Sequence, residues 1–386
     1  MNRSPHRTRA TLARPLSALS LLAAAAVAVA ISVPASPAAG AATLAFPGAV
    51  GFGADAVGGA GGTVYEVTSL SDSGTGSFRD AVSEPHRIIE FEVGGYIELD
   101  SAVSVSSYLT IEGQTAPGGG IGIMGREVSF DGATNDIVQD IRFRQGTLDS
   151  DTGKSSVNLE DSSDLIFDHV SIEFGQWDDL DSVGASDITI QDSILADPIG
   201  QQFTAHTETG PYTWYQDLFA NSHNRNPLAK ADTQFINNVV YNYQGGYTAG
   251  NSSGNFSHDA IGNYFIAGPS TTSPGDAWYQ MDNQSVYSSG NSLDSNKNGT
   301  LDGAALGVGG GATALSAPWS STTASIPATS AAAAYAYVVA NAGAYPRDEV
   351  DTQLIGNVTS LGTAGSLWTS QTATGLGNDG YGTISG

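Results

Sequence analysis

The chain has 386 residues, with 39 Asp and Glu against 14 Lys and Arg, 48 Gly, no Cys and a formal charge of −25. So acidic a surface repels nucleic acid and anionic membranes, and it repels an acidic polymer too unless a cation bridges the two. A hydrophobic share of 40% is enough for a large core, and the lack of cysteine excludes disulfide frameworks, thiolate metal sites and cysteine nucleophiles.

The chain opens with Arg3, Arg7, Arg9 and Arg14, followed by the apolar run Leu16 to Val33 and a stretch of small residues that ends at Ala42. This layout predicts a secretory signal over residues 1–42, with a membrane anchor as the alternative. Residues 43–386 are then expected to form a single secreted domain, monomeric by default. From residue 44 onward, short apolar runs are bounded by Gly, Asn, Asp or Ser, a pattern of strands and turns. An Asp or Asn opens one run after another at Asp140, Asp168, Asp192, Asp217, Asn238, Asn263 and Asn291, with spacings of 28, 24, 25, 21, 25 and 28 residues. A loose period in the twenties predicts a solenoid whose coils each need a neighbour to cover their apolar face, with an Asn/Asp ladder at one turn. A two-sheet β-sandwich is the alternative. The Gly-rich stretch Phe46 to Gly62 has no strand before it and no helix after it, which argues against a phosphate loop. Ala331 to Ala344 is the one predicted helix, within a covering segment from about residue 304 that is expected to mask an end of the solenoid.

Three clusters carry candidate chemistry. Asp178, Asp179 and Asp181 follow Trp177 on a predicted loop, where gathered carboxylates must either shift their pKa values or recruit a cation. Hard oxygen ligands point to Ca2+. The segment Asn221 to Lys230 holds His223, Arg225 and Lys230, in a half of the chain with few other cations. His206 stands in a polar segment with Gln201, Gln202 and Glu208. His206, His223 and Trp177 are read as substrate contacts, with Trp214, Tyr212 and Trp278 as further potential sugar platforms. His169, inside a predicted strand, is expected to pack. The stretch Asp294 to Asp302 resembles a calcium loop but has Ala305 where the final Glu belongs and no flanking helices.

Nearly the whole mature chain also resembles the secreted pectate lyases of polysaccharide lyase family 1. The matching pieces are Ala45 to Gly53, Gly76 to Ala81, Ile111 to Pro117, Phe167-Asp168-His169, Arg225-Asn-Pro227 with Lys230, Asn237-Asn238 and Arg347 to Asp351. The resemblance implies a right-handed parallel β-helix and β-elimination on a uronic-acid polymer. It also implies Arg225 as the catalytic base, Lys230 as the holder of a substrate carboxylate, and Asp181 as a calcium ligand with Asp178 or Asp179 beside it. Where the family has paired aspartates this chain has Gly153 and Ser155, which leaves Asp149 or Asp151 to substitute. Two family lysines fall on Val183 and Gln201. A glycoside hydrolase using Asp178, Asp179 and Asp181 and a non-catalytic sugar-binding solenoid are the rival expectations.

Overall fold

The computed structural model describes residues 43–384, so the predicted signal, residues 1–42, lies outside the described residues. No helix of the described residues is long and apolar enough to cross a membrane.

The chain winds as a right-handed parallel β-helix whose strands stack into three columns, here called sheets I, II and III. Along sheet I, Ile137 lies beside Ile166, then Thr189, Thr213, Gln234, Asp259 and Tyr287 on successive rungs. Each rung is thus 21 to 29 residues from the next, the period expected from the sequence. The adjacent position faces inward and builds one column of the core: Val138, Phe167, Ile190, Trp214, Phe235 and Ala260, all buried. Because strand side chains alternate, this register leaves the neighbouring Thr and Gln residues on the outer face.

The turn from sheet I to sheet II repeats one device. A residue in the left-handed conformation, Asp140, His169, Asp192, Gln216 or Asn237 on successive coils, is followed by the ladder position. There the backbone N–H of Val170 donates to Ser193 Oγ, Ser193 to Asp217 Oδ1, Asp217 to Asn238, Asn238 to Asn263 and Asn263 to Asn291, at 2.8 to 3.1 Å. The predicted ladder therefore holds from Asp217 to Asn291. Asp140, Asp168 and Asp192 lie outside it, one or two residues earlier in register, because Ile141, Val170 and Ser193 take its position. Asp and Asn tolerate the left-handed corner through short local hydrogen bonds, so both turn positions select the same residue types.

The Gly-rich start is a strap across the outer face of sheet I. Gly53 donates to Thr189 Oγ1 at 2.9 Å, and a Cβ at Gly53 would lie 2.0 Å from the Leu165 carbonyl oxygen. Three α-helices are present among the described residues: α1 (Phe78–Ala81), α2 (Ala331–Asn341) and α3 (Glu349–Thr359). The C-terminal pair corrects two expectations. α3 was not predicted, and both helices lie on the side of the solenoid rather than over its end. The outer face of sheet II is itself apolar, and Ile194, Leu218, Val239 and Tyr264 pack there against Val338 of α2 and Leu354 of α3. α3 starts with Asp348 accepting from the Asp351 N–H at 3.1 Å, an N-cap the Arg347 to Asp351 segment supplies. The same end is pinned by charge: Arg144 meets Glu173 at 2.7 Å and Asp351 at 3.1 Å, and Arg142 meets Asp351 at 3.3 Å, all without solvent exposure.

His258 is fully buried between Tyr247 Oη at 2.7 Å and Gln284 Oε1 at 3.3 Å. Burial pushes its pKa down to about 4, with the Gln284 contact opposing. A depressed imidazole contributes stability that is fully present above its unfolded value of about 6.5 and is lost as pH falls toward 4. Between pH 7 and pH 4, the stability difference between the natural chain and His258→Gln should shrink by about 3 kcal/mol. Urea unfolding at several pH values measures that difference, and a difference constant with pH would contradict it.

Candidate active site

The site is assembled on three successive rungs of sheet III. Asp178–Ser182 is a strand, not the loop expected. It pairs with the first half of Phe203–Tyr215, which pairs with the first half of Leu228–Ile236. Register places Asp181 beside His206, His206 beside Leu228, and Glu208 beside Lys230. Acidic, mixed and basic positions therefore run along the solenoid axis.

Arg225 stands just before the third rung in the left-handed conformation, φ 65°. Its carbonyl accepts from the Ala205 N–H at 2.9 Å, which fixes the corner. From there the side chain reaches back over Phe203, with its guanidinium carbon 4.0 Å from the ring centroid, to Asp178. Nη1 donates to both carboxylate oxygens of Asp178, at 3.1 and 2.9 Å. A stacked, paired guanidinium is held in one orientation, a planar constraint that an ammonium group does not share. Asp178 has no exposed surface; burial pushes its carboxyl up to about 7, against the pull of Arg225 and His206.

Lys230 Nζ donates to Glu208 Oε1 at 2.7 Å, and His206 Nε2 lies 2.8 Å from the same oxygen. His206 Nδ1 is 3.1 Å from Asp181 Oδ1, but the angle makes no hydrogen bond and both atoms are buried without a partner. Burial works to lower the His206 pKa, and its carboxylate neighbours, Asp181 first, more than offset this and raise it. Lys230 and Glu208 are each about one third exposed, and Lys230 lines a groove of about 260 Å³ together with Phe203, Asn224 and Arg225.

Of the expected residues, the structure brings together Asp178, Asp181, His206, Arg225 and Lys230. Trp177 is half-buried at the edge, its ring 6.0 Å from the Arg225 guanidinium, and His223 is exposed, its ring 6.3 Å from Phe203. Three acidic residues do not join them. Asp179 is fully buried under the turn before it, accepting from the Gly175 N–H at 2.8 Å, and burial raises its pKa well above the usual range. Asp149 is occupied by Gln145 Nε2 at 2.9 Å and the Asp151 N–H at 2.9 Å, and Asp151 caps its own turn through the Gly153 N–H at 3.0 Å. Trp214, Tyr212 and Trp278 are core residues, not sugar platforms. Sequence reasoning noted Glu208 only as a neighbour of His206 and passed over Phe203. The two-residue spacing of His206 and Glu208 in a strand, which puts both on one face, was the available signal.

Asp178, Asp181 and His206 each offer a ligand atom within 4.8 Å of the others. The buried, partnerless Asp181 Oδ1 needs a proton or a cation, and the carboxylates of Asp181 and Asp178, with His206 beside them, offer oxygen ligands that fit Ca2+. An arginine and a lysine paired with carboxylates beside a groove, on a parallel β-helix, are the arrangement expected of a polysaccharide lyase.

No protein-family model matches the chain. Among curated proteins it is 43% identical over 367 residues to "Probable pectate lyase C" of Neosartorya fischeri, covering 89% of this chain and 83% of that one. It is also 43% identical over 342 residues to the protein of the same name from Emericella nidulans, covering 84% and 78%. Among solved structures it is similar to a mutant pectate lyase of Bacillus subtilis, with a TM-score of 0.58 at 14% identity over 78% of this chain and 98% of that one. The major allergen from cedar pollen gives 0.53 at 17% identity over 77% and 92%. The structural likenesses speak for the fold; the sequence identity goes further, and the chain belongs to the pectate lyase family.

Proposed function

We propose that the chain cleaves pectate or a similar polygalacturonate by calcium-assisted β-elimination in the groove of Arg225 and Lys230. The observation that carries this reading is the convergence on three adjacent rungs of Asp178 and Asp181, His206 and Glu208, and Arg225 and Lys230. In the reaction a base takes the C5 proton, a C4–C5 double bond forms as the C4–O4 bond breaks, and the departing oxygen takes a proton from solvent.

Arg225 is the base in this reading. Its guanidinium is held at the groove by Asp178 and Phe203, and a guanidinium acts as a base only where cationic neighbours and high pH favour its neutral form. An alkaline optimum follows. Lys230 can exchange its partly exposed partner Glu208 for a substrate carboxylate. Asp181 and Asp178 would hold calcium beside His206, and calcium there supplies Lewis acidity and neutralises charge between an acidic protein and an acidic polymer. The hydrolase reading is weaker: Arg225 occupies Asp178 and Asp179 is sealed off, which leaves no pair of free carboxyls for acid and base. We further infer export directed by residues 1–42 and action as a monomer.

The test is ultraviolet absorbance of the unsaturated uronate made from polygalacturonate at alkaline pH. Absorbance should rise with calcium and stop on addition of chelator. New reducing ends without absorbance would replace elimination with hydrolysis, and activity unchanged by chelator would remove calcium from the reaction.

A further inference from the structure

A second group of ligating side chains lies away from the groove, at the turn from sheet I to sheet II. Asp168 ends the strand Ser163–Asp168, His169 follows it, and Asp192 occupies the same corner one rung on. Each offers one ligand atom within 4.8 Å of the other two. They open onto a cleft of about 760 Å³ that is also lined by Phe46 and Gly48 of the N-terminal strap and by Tyr337 of α2.

The cleft has the features of a prepared site. Asp168 is 7% exposed, and its oxygens are oriented by two amides, Gln191 Nε2 on Oδ1 at 2.9 Å and Gln139 Nε2 on Oδ2 at 3.0 Å. His169 and Asp192 both stand at the left-handed corner, φ 52° and 51°, and Asp192 is only 6% exposed. Its Oδ1 is buried with no hydrogen-bond partner, a condition that costs free energy unless a proton or cation meets it. The one cationic side chain in the group, His169, faces Asp168 instead, with Nδ1 3.2 Å from Oδ1.

We propose that Asp168, His169 and Asp192 form a second cation site, one that takes a divalent transition ion of the Zn2+ class. An imidazole nitrogen with two carboxylate oxygens suits Zn2+, whereas Ca2+ selects oxygen ligands throughout. Bonds of about 2.1 Å to a tetrahedral ion place ligand atoms roughly 3.4 Å apart, so side-chain rotation suffices to close the cluster. The cleft leaves the fourth position to water. Located where the strap and α2 meet the solenoid, a bound ion would tie both to sheet I.

Calorimetric titration of chelator-stripped protein with Zn2+ tests this. An Asp181→Asn/His206→Ala background disables the groove cluster and should still bind one equivalent. Adding His169→Asn, which keeps a residue suited to the left-handed corner, or Asp192→Asn should weaken that binding by roughly 100-fold or more. In the otherwise unaltered protein, His169→Asn should lower the Zn2+ stoichiometry by one, and in the groove-disabled background Co2+ should give a visible absorption band only when His169 is present. Absence of Zn2+ binding in the groove-disabled background, where circular dichroism shows it folded, would overturn the proposal. Stoichiometry and affinity indifferent to both His169→Asn and Asp192→Asn would do the same.

Discussion

Replacing Arg225 by lysine should lower kcat/KM on polygalacturonate by about 10³-fold, within the range that proton transfer by a positioned group supplies. The geometry explains why a conservative change is so costly. The guanidinium is fixed on two sides, by the Phe203 face at 4.0 Å and by both oxygens of Asp178. An ammonium group can meet Asp178 but cannot also lie flat on the ring and keep its remaining nitrogens at the groove. Lysine is preferable to alanine as the test, because alanine would leave a buried carboxylate without its partner and confuse lost stability with lost catalysis. Initial rates, paired with thermal melting, separate the two. A variant that melts like the natural chain and keeps its rate within about tenfold would limit Arg225 to holding Asp178.

Arg144→Ala should have the largest effect on stability, a loss of about 3–5 kcal/mol. Burial works to lower the Arg144 pKa, and the carboxylates around it, Asp348 first, with Glu173 and Asp351, more than offset this. Removing the guanidinium leaves these buried acids facing one another without a counterion. Urea unfolding gives the loss, and hydrogen exchange locates it: the amides of α3 should exchange faster before those of the solenoid core. A loss under about 1 kcal/mol would mean that the acids find protons or water at little cost.

How much of this was legible in the sequence follows from which interactions are periodic. The solenoid repeats its register, so Asp217, Asn238, Asn263 and Asn291 announced both the coil and the ladder. The upstream members were misassigned by one or two residues because the left-handed corner beside the ladder accepts the same residue types. Arg225 and Lys230 stood out by rarity in an acidic chain. Asp179 could not be told from Asp178 and Asp181, since its burial depends on the Gly175 turn folding over it. α3 carries a short apolar stripe, Val350, Leu354 and Val358 at helical spacing, which the sequence reading passed over; what could not be read is its N-terminal anchor, since Asp351 meets Arg142 and Arg144 some 200 residues away.

The strands bearing the groove residues have a consequence for how its specificity can change. The acidic, mixed and basic positions belong to consecutive rungs, so their separation comes in whole steps of the backbone repeat of about 4.8 Å. A point substitution alters which group stands on a step but cannot move the step, and a loop insertion lengthens a coil without shifting its neighbours. Adjusting the distance between cation-holding and base positions requires adding or deleting an entire coil. Natural variation and redesign alike are therefore confined to exchanging side chains on a fixed ruler, or to reshaping the loops that flank it.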